Sequence, residues 1–402
     1  MRTHPAWPYD SLDTHAHEPV PFRQFVLKVQ GRCNLDCTYC YLYQGPDHGW
    51  RDRPRSTSAR TMHRTAQRIA EHVRTHRLDA VRIELHGGEP LLLGPGPVLA
   101  YAEAVREAVR EAAGCQVTAT VQTNGTRLTD RTLDRLADAG IRVGLSLDGG
   151  RPAHNARRVD HAGRPAWSAA RAAALRLAER PESYAGILCT IDVAADPLDV
   201  YRSLVRLRPP GVDFLLPHAT WGRPPPGLDS RSPGRHRPAR TPYGDWLTAV
   251  FDAWWDEKDP RIRTRIRLFR EIAALLLGAP SRAEAVGLSP LAAVVVETDG
   301  AIEQVDALRA AYEGASETGL NVHRHSFDRA LRHPGVAARQ LGERALADEC
   351  LGCPVGKVCG GGNYVHRYAP GTGFRHPSVY CADLERLVRH IAHRLERTAL
   401  PS

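Results

Sequence analysis

Three cysteines fall within one short run, CNLDCTYC, at Cys33, Cys37 and Cys40. Soft thiolate sulfur suits iron. Three thiolates on one loop can hold a four-iron four-sulfur (4Fe-4S) cluster and leave one iron without a protein ligand. That open iron is a coordination position for a small molecule, so the loop reads as a reactive centre and not only as an electron store. Tyr39, between the last two cysteines, would set an aromatic ring beside whatever binds there. Zinc fits less well, because its sites normally carry four ligands. A second group, Cys350, Cys353, Cys359 and Cys381, has the pattern C-x2-C-x5-C with a distant fourth member. Four cysteines can saturate one metal centre, and the pattern alone leaves zinc and iron-sulfur both open. Cys115 and Cys189 stand alone in apolar, strand-like stretches and read as core.

A chain of 402 residues has room for a catalytic domain of barrel size and a smaller second domain. No apolar run reaches membrane-spanning length, and the start, MRTHPAWPYD, lacks a signal-peptide core. A cytoplasmic protein with no membrane partner is expected, and in that compartment nine cysteines are metal ligands or free thiols before they are disulfides. The net charge of +9 comes almost wholly from arginine, with lysine only at Lys28, Lys258 and Lys357. Such a bias follows GC-rich coding, and without a basic block interleaved with aromatics no nucleic-acid partner is expected.

The elements that must position the cysteine loop alternate regularly. An apolar strand, Phe25 to Val29, leads into it. Met62, Ala66, Ile69, Ala70 and Val73 then recur at helical spacing, and Val81 to Leu85 alternates as a strand ending in HGGEP, His86 to Pro90. Helix and strand patterns repeat to Leu216, giving six strands separated by helices and hence parallel pairing. The unusual sequences all fall at carboxyl ends of these strands: CNLDCTYC, GGEP, QTNG (Gln122 to Gly125), SLDG (Ser146 to Gly149) and LLPHATW (Leu215 to Trp221). That is the end where parallel α/β barrels assemble active sites, so they read as one site. The expected fold is α/β, a partial (β/α)6 barrel with a carboxy-terminal α+β domain. Its divisions are an arm over 1–22, the barrel over 23–221, a Pro/Gly/Arg-rich loop with linking helices over 222–290, and the last domain over 291–402. The last domain opens on a hairpin, Ala293 to Val305 around Asp299-Gly300.

CNLDCTYC resembles the C-x3-C-x2-C loop of radical S-adenosylmethionine (SAM) enzymes, and HGGEP resembles that family's GGE motif. The resemblance implies SAM as cofactor on a 4Fe-4S cluster held by Cys33, Cys37 and Cys40, with Gly87, Gly88, Glu89 and Pro90 at its methionine end and Tyr39 at the adenine. It also implies Ser146 and Arg158 at the ribose or carboxylate, with Thr123 and Asn124 as further contacts. The carboxy-terminal cysteines resemble the SPASM domain, the auxiliary-cluster module of peptide-modifying radical SAM enzymes. A full SPASM domain has two clusters. Here Val305 and Asn363 stand where two ligands would be, so one auxiliary 4Fe-4S cluster is implied, on Cys350, Cys353, Cys359 and Cys381.

FLLPHATW, TDGAIEQVD, CPVGKVCGGGNYVHRY and HPSVYC further resemble the FxsB-like group of cyclophane-forming maturases, from about Phe22 to Leu387. That resemblance implies a ribosomally made precursor peptide as substrate, a reductant such as ferredoxin or flavodoxin, and a carbon-carbon crosslink between an aromatic ring and a side-chain β-carbon. Asp306, directly after the hairpin, matches an aspartate in the active site of related enzymes and would accept the proton that leaves; a capping or ion-pairing role is the alternative. His323, His325 and His366 are further possible proton carriers. Rival readings are another radical SAM peptide chemistry, such as sulfatase-maturase oxidation or thioether formation, and a non-catalytic iron-sulfur protein. The oligomeric state is open.

Overall fold

The computed structural model describes residues 17–228, 240–259, 263–281 and 283–399. Most of the expected arm and much of the Pro/Gly/Arg-rich loop lie outside the described residues. The main elements in chain order are β1 (Gln24–Gln30), α1 (Ala59–His76), β2 (Ala80–Gly87), α2 (Gly96–Ala113), β3 (Gln116–Thr123), α3 (Asp130–Asp138), β4 (Ile141–Ser146), α4 (Trp167–Ala178) and β5 (Tyr184–Thr190). There follow α5 (Pro197–Val205), β6 (Gly211–Leu215), α6 (Pro242–Trp255), β7 (Arg265–Ile266), α7 (Arg267–Leu276), β8 (Ala293–Val296), β9 (Ala301–Glu303) and β10 (Glu317–Asn321). Short helical turns then lead to a final helix, Cys381–Ala399. No helix among the described residues is long and apolar enough to cross a membrane.

The chain divides into two compact units. One holds Pro19–Leu188 and Ala292–Val336. Its strands run β10-β9-β8-β1-β2-β3-β4-β5, and β1 to β5 are parallel neighbours, each linked to the next by a helical crossover. Helix α1 starts where Ser58 accepts a hydrogen bond from Thr61 N, buries Met62, Ala66, Ile69, Ala70 and Val73, and stops at Arg77 in a left-handed conformation. The parallel register brings the ends of β1 to β4 to one edge, which positions the motifs that follow them.

The hairpin 293–305, expected at the head of the carboxy-terminal domain, is compact with this unit instead. β8 pairs in parallel with β1, Gln24 opposite Ala293 through Leu27 opposite Val296, and β9 returns antiparallel. The run Val294, Val295, Val296 is wholly buried, as a strand covered on both faces must be. Cys115 also departs from expectation. α2 runs to Ala113 and Gly114 turns left-handed, so Cys115 falls in the half-exposed linker ahead of β3, while Cys189 is core as expected.

The other unit holds Cys189–Leu291 and everything from Ala337. Asp383 on the final helix caps α6, accepting from Tyr243 N at 2.8 Å and Gly244 N at 2.9 Å. The aromatic side of α6 is core: Phe251 meets Phe269 edge to face, and Trp254 donates its indole N–H to Thr264 O. Gly360 has φ of +60°, and a Cβ there would lie 1.8 Å from Gly287 O. Gly360→Ala is therefore expected to destabilise this unit by at least about 1–3 kcal/mol from backbone strain alone, read as a lower thermal midpoint of the apoprotein.

Candidate active site

The cysteine loop leaves the end of β1 and is pinned by backbone hydrogen bonds, Asp36 N to Val159 O at 2.7 Å and Thr38 N to Arg157 O at 3.1 Å. Cys40 N closes a turn onto Cys37 O at 3.0 Å. Cys33 Sγ accepts from Leu35 N at 3.4 Å and faces Asn124 Nδ2 at 3.7 Å. Burial pushes the Cys33 thiol up to about 12 and the Cys37 thiol up to about 11, the latter against the pull of Arg158. Three half-buried cysteines whose thiolates are disfavoured in isolation form a donor set that a cationic centre completes.

Gly87 and Gly88 bring the end of β2 against the chain entering that loop. A Cβ on Gly88 would lie 2.4 Å from the Arg32 carbonyl carbon and oxygen, and Gly88 N donates to Gln30 O at 2.9 Å. Glu89 follows, fully buried. Its Oε1 accepts from Thr123 Oγ1 at 2.7 Å and Leu91 N at 3.0 Å, and its Oε2 from Asn124 N at 2.8 Å. Burial raises its carboxyl and these hydrogen bonds work against that rise. Thr123 and Asn124 thus brace Glu89, and Asn124 also donates to Asn34 Oδ1 at 3.1 Å. Pro90 is buried behind them.

Tyr39 donates its hydroxyl to Asp148 and accepts from Arg158 at 3.0 Å, with Arg158 4.0 Å from Asp148. The carboxylate beside Arg158 is Asp148 of SLDG, a residue not singled out from the sequence. Ser146 Oγ accepts from Gln122 Nε2 at 2.9 Å. Asn155 Oδ1 receives Asp148 N at 3.0 Å, fixing the turn that presents the carboxylate.

Asp306 lies in the same unit and is buried. Lys28 of β1 donates to its Oδ2 at 2.5 Å and stands 3.3 Å from His86 Nδ1 at the end of β2. The other oxygen, Oδ1, has Arg309 Nε at 3.7 Å and accepts no hydrogen bond. Arg309 is itself held by Glu297 at 2.9 Å and Glu303 at 2.6 Å. Burial pushes the Asp306 carboxyl up, but Lys28 and Arg309 hold it down at about 2. A carboxyl depressed in the folded state stabilises above its unfolded value of 3.8 and loses that contribution as pH falls toward 2. The stability advantage of wild type over Asp306→Asn should accordingly vanish between pH 4 and 2, measured as thermal midpoint against pH. Val305, beside it, is half-buried, and Asn363 caps a turn by accepting from Val365 N at 3.2 Å.

Cys350, Cys353, Cys359 and Cys381 all belong to the other unit. Cys353 N bonds Cys350 O at 3.2 Å, Cys359 closes the turn Gly356–Cys359, and Cys381 begins the final helix. Burial raises Cys359 to about 11 and Cys381 to about 12, with the neighbouring cysteines adding to both shifts. Among the described residues only His72, His76 and Asp328 bring three ligand atoms within 4.8 Å of one another. Four thiolates with no other ligand type among them are a donor set that zinc and an iron-sulfur cluster both accept. The His72, His76 and Asp328 group was not foreseen, although H-x3-H on α1 was its signal. Both imidazoles reach Asp328 Oδ1, at 2.7 and 2.9 Å, which are hydrogen-bond lengths, shorter than the about 3.3 Å between ligands of tetrahedral zinc. His323 lies 3.3 Å from Thr61 Oγ1, His325 Nδ1 accepts from Asn321 N, and His366 is buried beside Tyr380 in the other unit.

Residues 27–188, a stretch that includes the cysteine loop and the strand ends around it, match the model of the radical SAM superfamily. Over 369 residues, 90% of this chain and 84% of the relative, it is 25% identical to a serine-type anaerobic sulfatase-maturating enzyme of Klebsiella aerogenes. A cysteine-type counterpart from Clostridium perfringens is 24% identical over 294 residues, 71% of this chain and 74% of that protein. Among solved structures, native anSMEcpe with bound AdoMet superposes with a TM-score of 0.76 at 20% identity, covering 94% of this chain and 99% of that one. Streptococcus suis SuiB bound to precursor peptide SuiA gives 0.60 at 14% identity, over 90% and 76%.

Proposed function

We propose that this enzyme removes a hydrogen atom from a side chain of a peptide or protein substrate. The observation that carries the reading is the convergence, at neighbouring strand ends, of a three-cysteine loop, a braced buried Glu89 and the Tyr39, Asp148 and Arg158 cluster. SAM, when bound at the cluster of Cys33, Cys37 and Cys40, supplies the hydrogen-abstracting radical. Glu89 would take its amino group, Gly87 and Gly88 the close backbone approach, and Tyr39 the adenine. Arg158 and Ser146 would hold the ribose or carboxylate, with Asp148 keeping Arg158 in place.

A peptide substrate is supported by what the relatives are named for. Sulfatase-maturating enzymes and SuiB, seen with its precursor peptide, are both similar across most of the chain. The chemistry these relatives favour is two-electron oxidation of a cysteine or serine side chain, ahead of the crosslink implied by the FxsB-like resemblance. The crosslink stays as a second reading because FLLPHATW, TDGAIEQVD, CPVGKVCGGGNYVHRY and HPSVYC resemble the FxsB-like group. In either chemistry a proton leaves the substrate. Asp306, ionised and with Oδ1 free of hydrogen bonds, is the proposed acceptor.

Mass spectrometry after anaerobic turnover with SAM and dithionite tests both. The Cp18Cys peptide, seen bound to anSMEcpe, should lose two hydrogens and exchange sulfur for oxygen under the oxidation reading. The peptide encoded beside the gene should lose two hydrogens under the crosslink reading. No 5′-deoxyadenosine from wild type in either assay counts against both.

A further inference from the structure

Behind the four-cysteine set sits a buried cation. Arg367, in the turn Tyr364–Arg367, donates through Nε to Gly361 O at 3.1 Å and through one terminal nitrogen to Gly360 O and, at 3.0 Å, to Gly362 O. These three glycines directly follow Cys359, and their φ values of +60°, +76° and +68° turn successive carbonyls onto the guanidinium. A side chain on Gly361 would strike it, at 2.9 Å from the guanidinium carbon. The face of Tyr364 lies 5.3 Å away. Among the described residues no carboxylate lies within ion-pair distance of Arg367, so its charge is cradled by dipoles, with Glu284 favouring it only from farther away. Burial opposes that charge, and Tyr364, Cys350 and Cys359 are the first groups that favour it.

We propose that Arg367 is a fixed positive charge that raises the reduction potential of the centre held by Cys350, Cys353, Cys359 and Cys381 and so fits that centre to receive an electron. A cluster with four thiolates gains one negative charge on reduction, and net charge and local fields set its potential. An unpaired cation in a low-dielectric surround stabilises the more negative state more strongly. Lysine could supply the charge but not the planar fork, whose nitrogens meet the carbonyls in fixed directions. The inference rests on the reading that these four cysteines hold an iron-sulfur cluster.

Potentiometric titration of the reconstituted full-length enzyme, followed by electron paramagnetic resonance, tests it. The signal that does not respond to SAM belongs to the carboxy-terminal centre and disappears in Cys353→Ala. In Arg367→Gln that signal should move to lower potential by a factor of ten or more in the reduction equilibrium, about 59 mV for one electron, while Arg367→Lys stays near wild type at neutral pH. If Arg367→Gln loses its iron, Arg367→Lys decides. A buried lysine can lose its charge, so its potential should fall as pH rises, beyond any change in wild type. Unchanged potential in Arg367→Gln, or a lysine variant whose pH dependence matches wild type, overturns the inference alone. No SAM-independent signal in wild type overturns the cluster reading and the inference with it.

Discussion

Cys37→Ala is expected to abolish 5′-deoxyadenosine formation, while Cys353→Ala leaves it measurable. The loop supplies three thiolates and no other cysteine of its unit stands at the strand ends, so losing one leaves a cluster with two protein ligands. The fold does not depend on that side chain. Asp36 and Thr38 pin the loop through backbone hydrogen bonds to 157–159, and Tyr39 stays tied to Asp148 and Arg158. Iron content should fall by one cluster, with circular dichroism unchanged, and chromatography of the dithionite reaction gives the product yield. Retention of 5′-deoxyadenosine near the wild-type level would remove the assignment of this loop as the SAM site.

The second large effect is expected at Lys28 and Asp306. Removing one member of a buried ion pair strands the other, at a cost of about 3–5 kcal/mol. Lys28→Met should therefore lower the urea midpoint of the apoprotein strongly, and Asp306→Asn likewise. The double variant Lys28→Met/Asp306→Asn should recover much of the loss, because neither charge is then left alone. Activity should not recover with stability. If Asp306 takes the substrate's proton, the ratio of modified peptide to 5′-deoxyadenosine should fall about 10²- to 10⁴-fold in Asp306→Asn, the usual contribution of a general base, and stay low in the double variant. A double variant that regains peptide modification would reduce Asp306 to a structural ion-pair partner.

What could be read from residues alone was whatever repeats at short range. Cysteine spacing, helical periodicity from Met62 to Val73 and the glycines of GGE are local, and the strand ends where they fall follow from the alternation. Lys28 was invisible for the opposite reason. It is one polar residue inside an apolar strand, and the carboxylate that explains it is 278 positions away. Asp148 was hidden by its own motif, where Ser146, two residues earlier, drew the assignment and only the fold shows which side chain meets Arg158. Cys115 was misjudged by a single position, since it falls in the linker one residue before the strand begins at Gln116. The membership of 293–305 could not be decided by pattern, since a valine-rich strand announces burial on both faces without naming its neighbour.

That neighbour constrains how the enzyme is made. Because β1 lies between β2 and β8, the strand that carries the cysteine loop keeps an open, apolar edge until residues beyond 292 have left the ribosome. An exposed edge of this kind pairs readily with other chains, and contacts of such long sequence separation form slowly. A fragment cut at the boundary of the superfamily match, residue 188, would carry every residue of the proposed SAM site and still expose the flank of β1. Late closure of that sheet also postpones the moment at which Lys28 meets Asp306, so the buried charge pair forms only after residue 306 has been made.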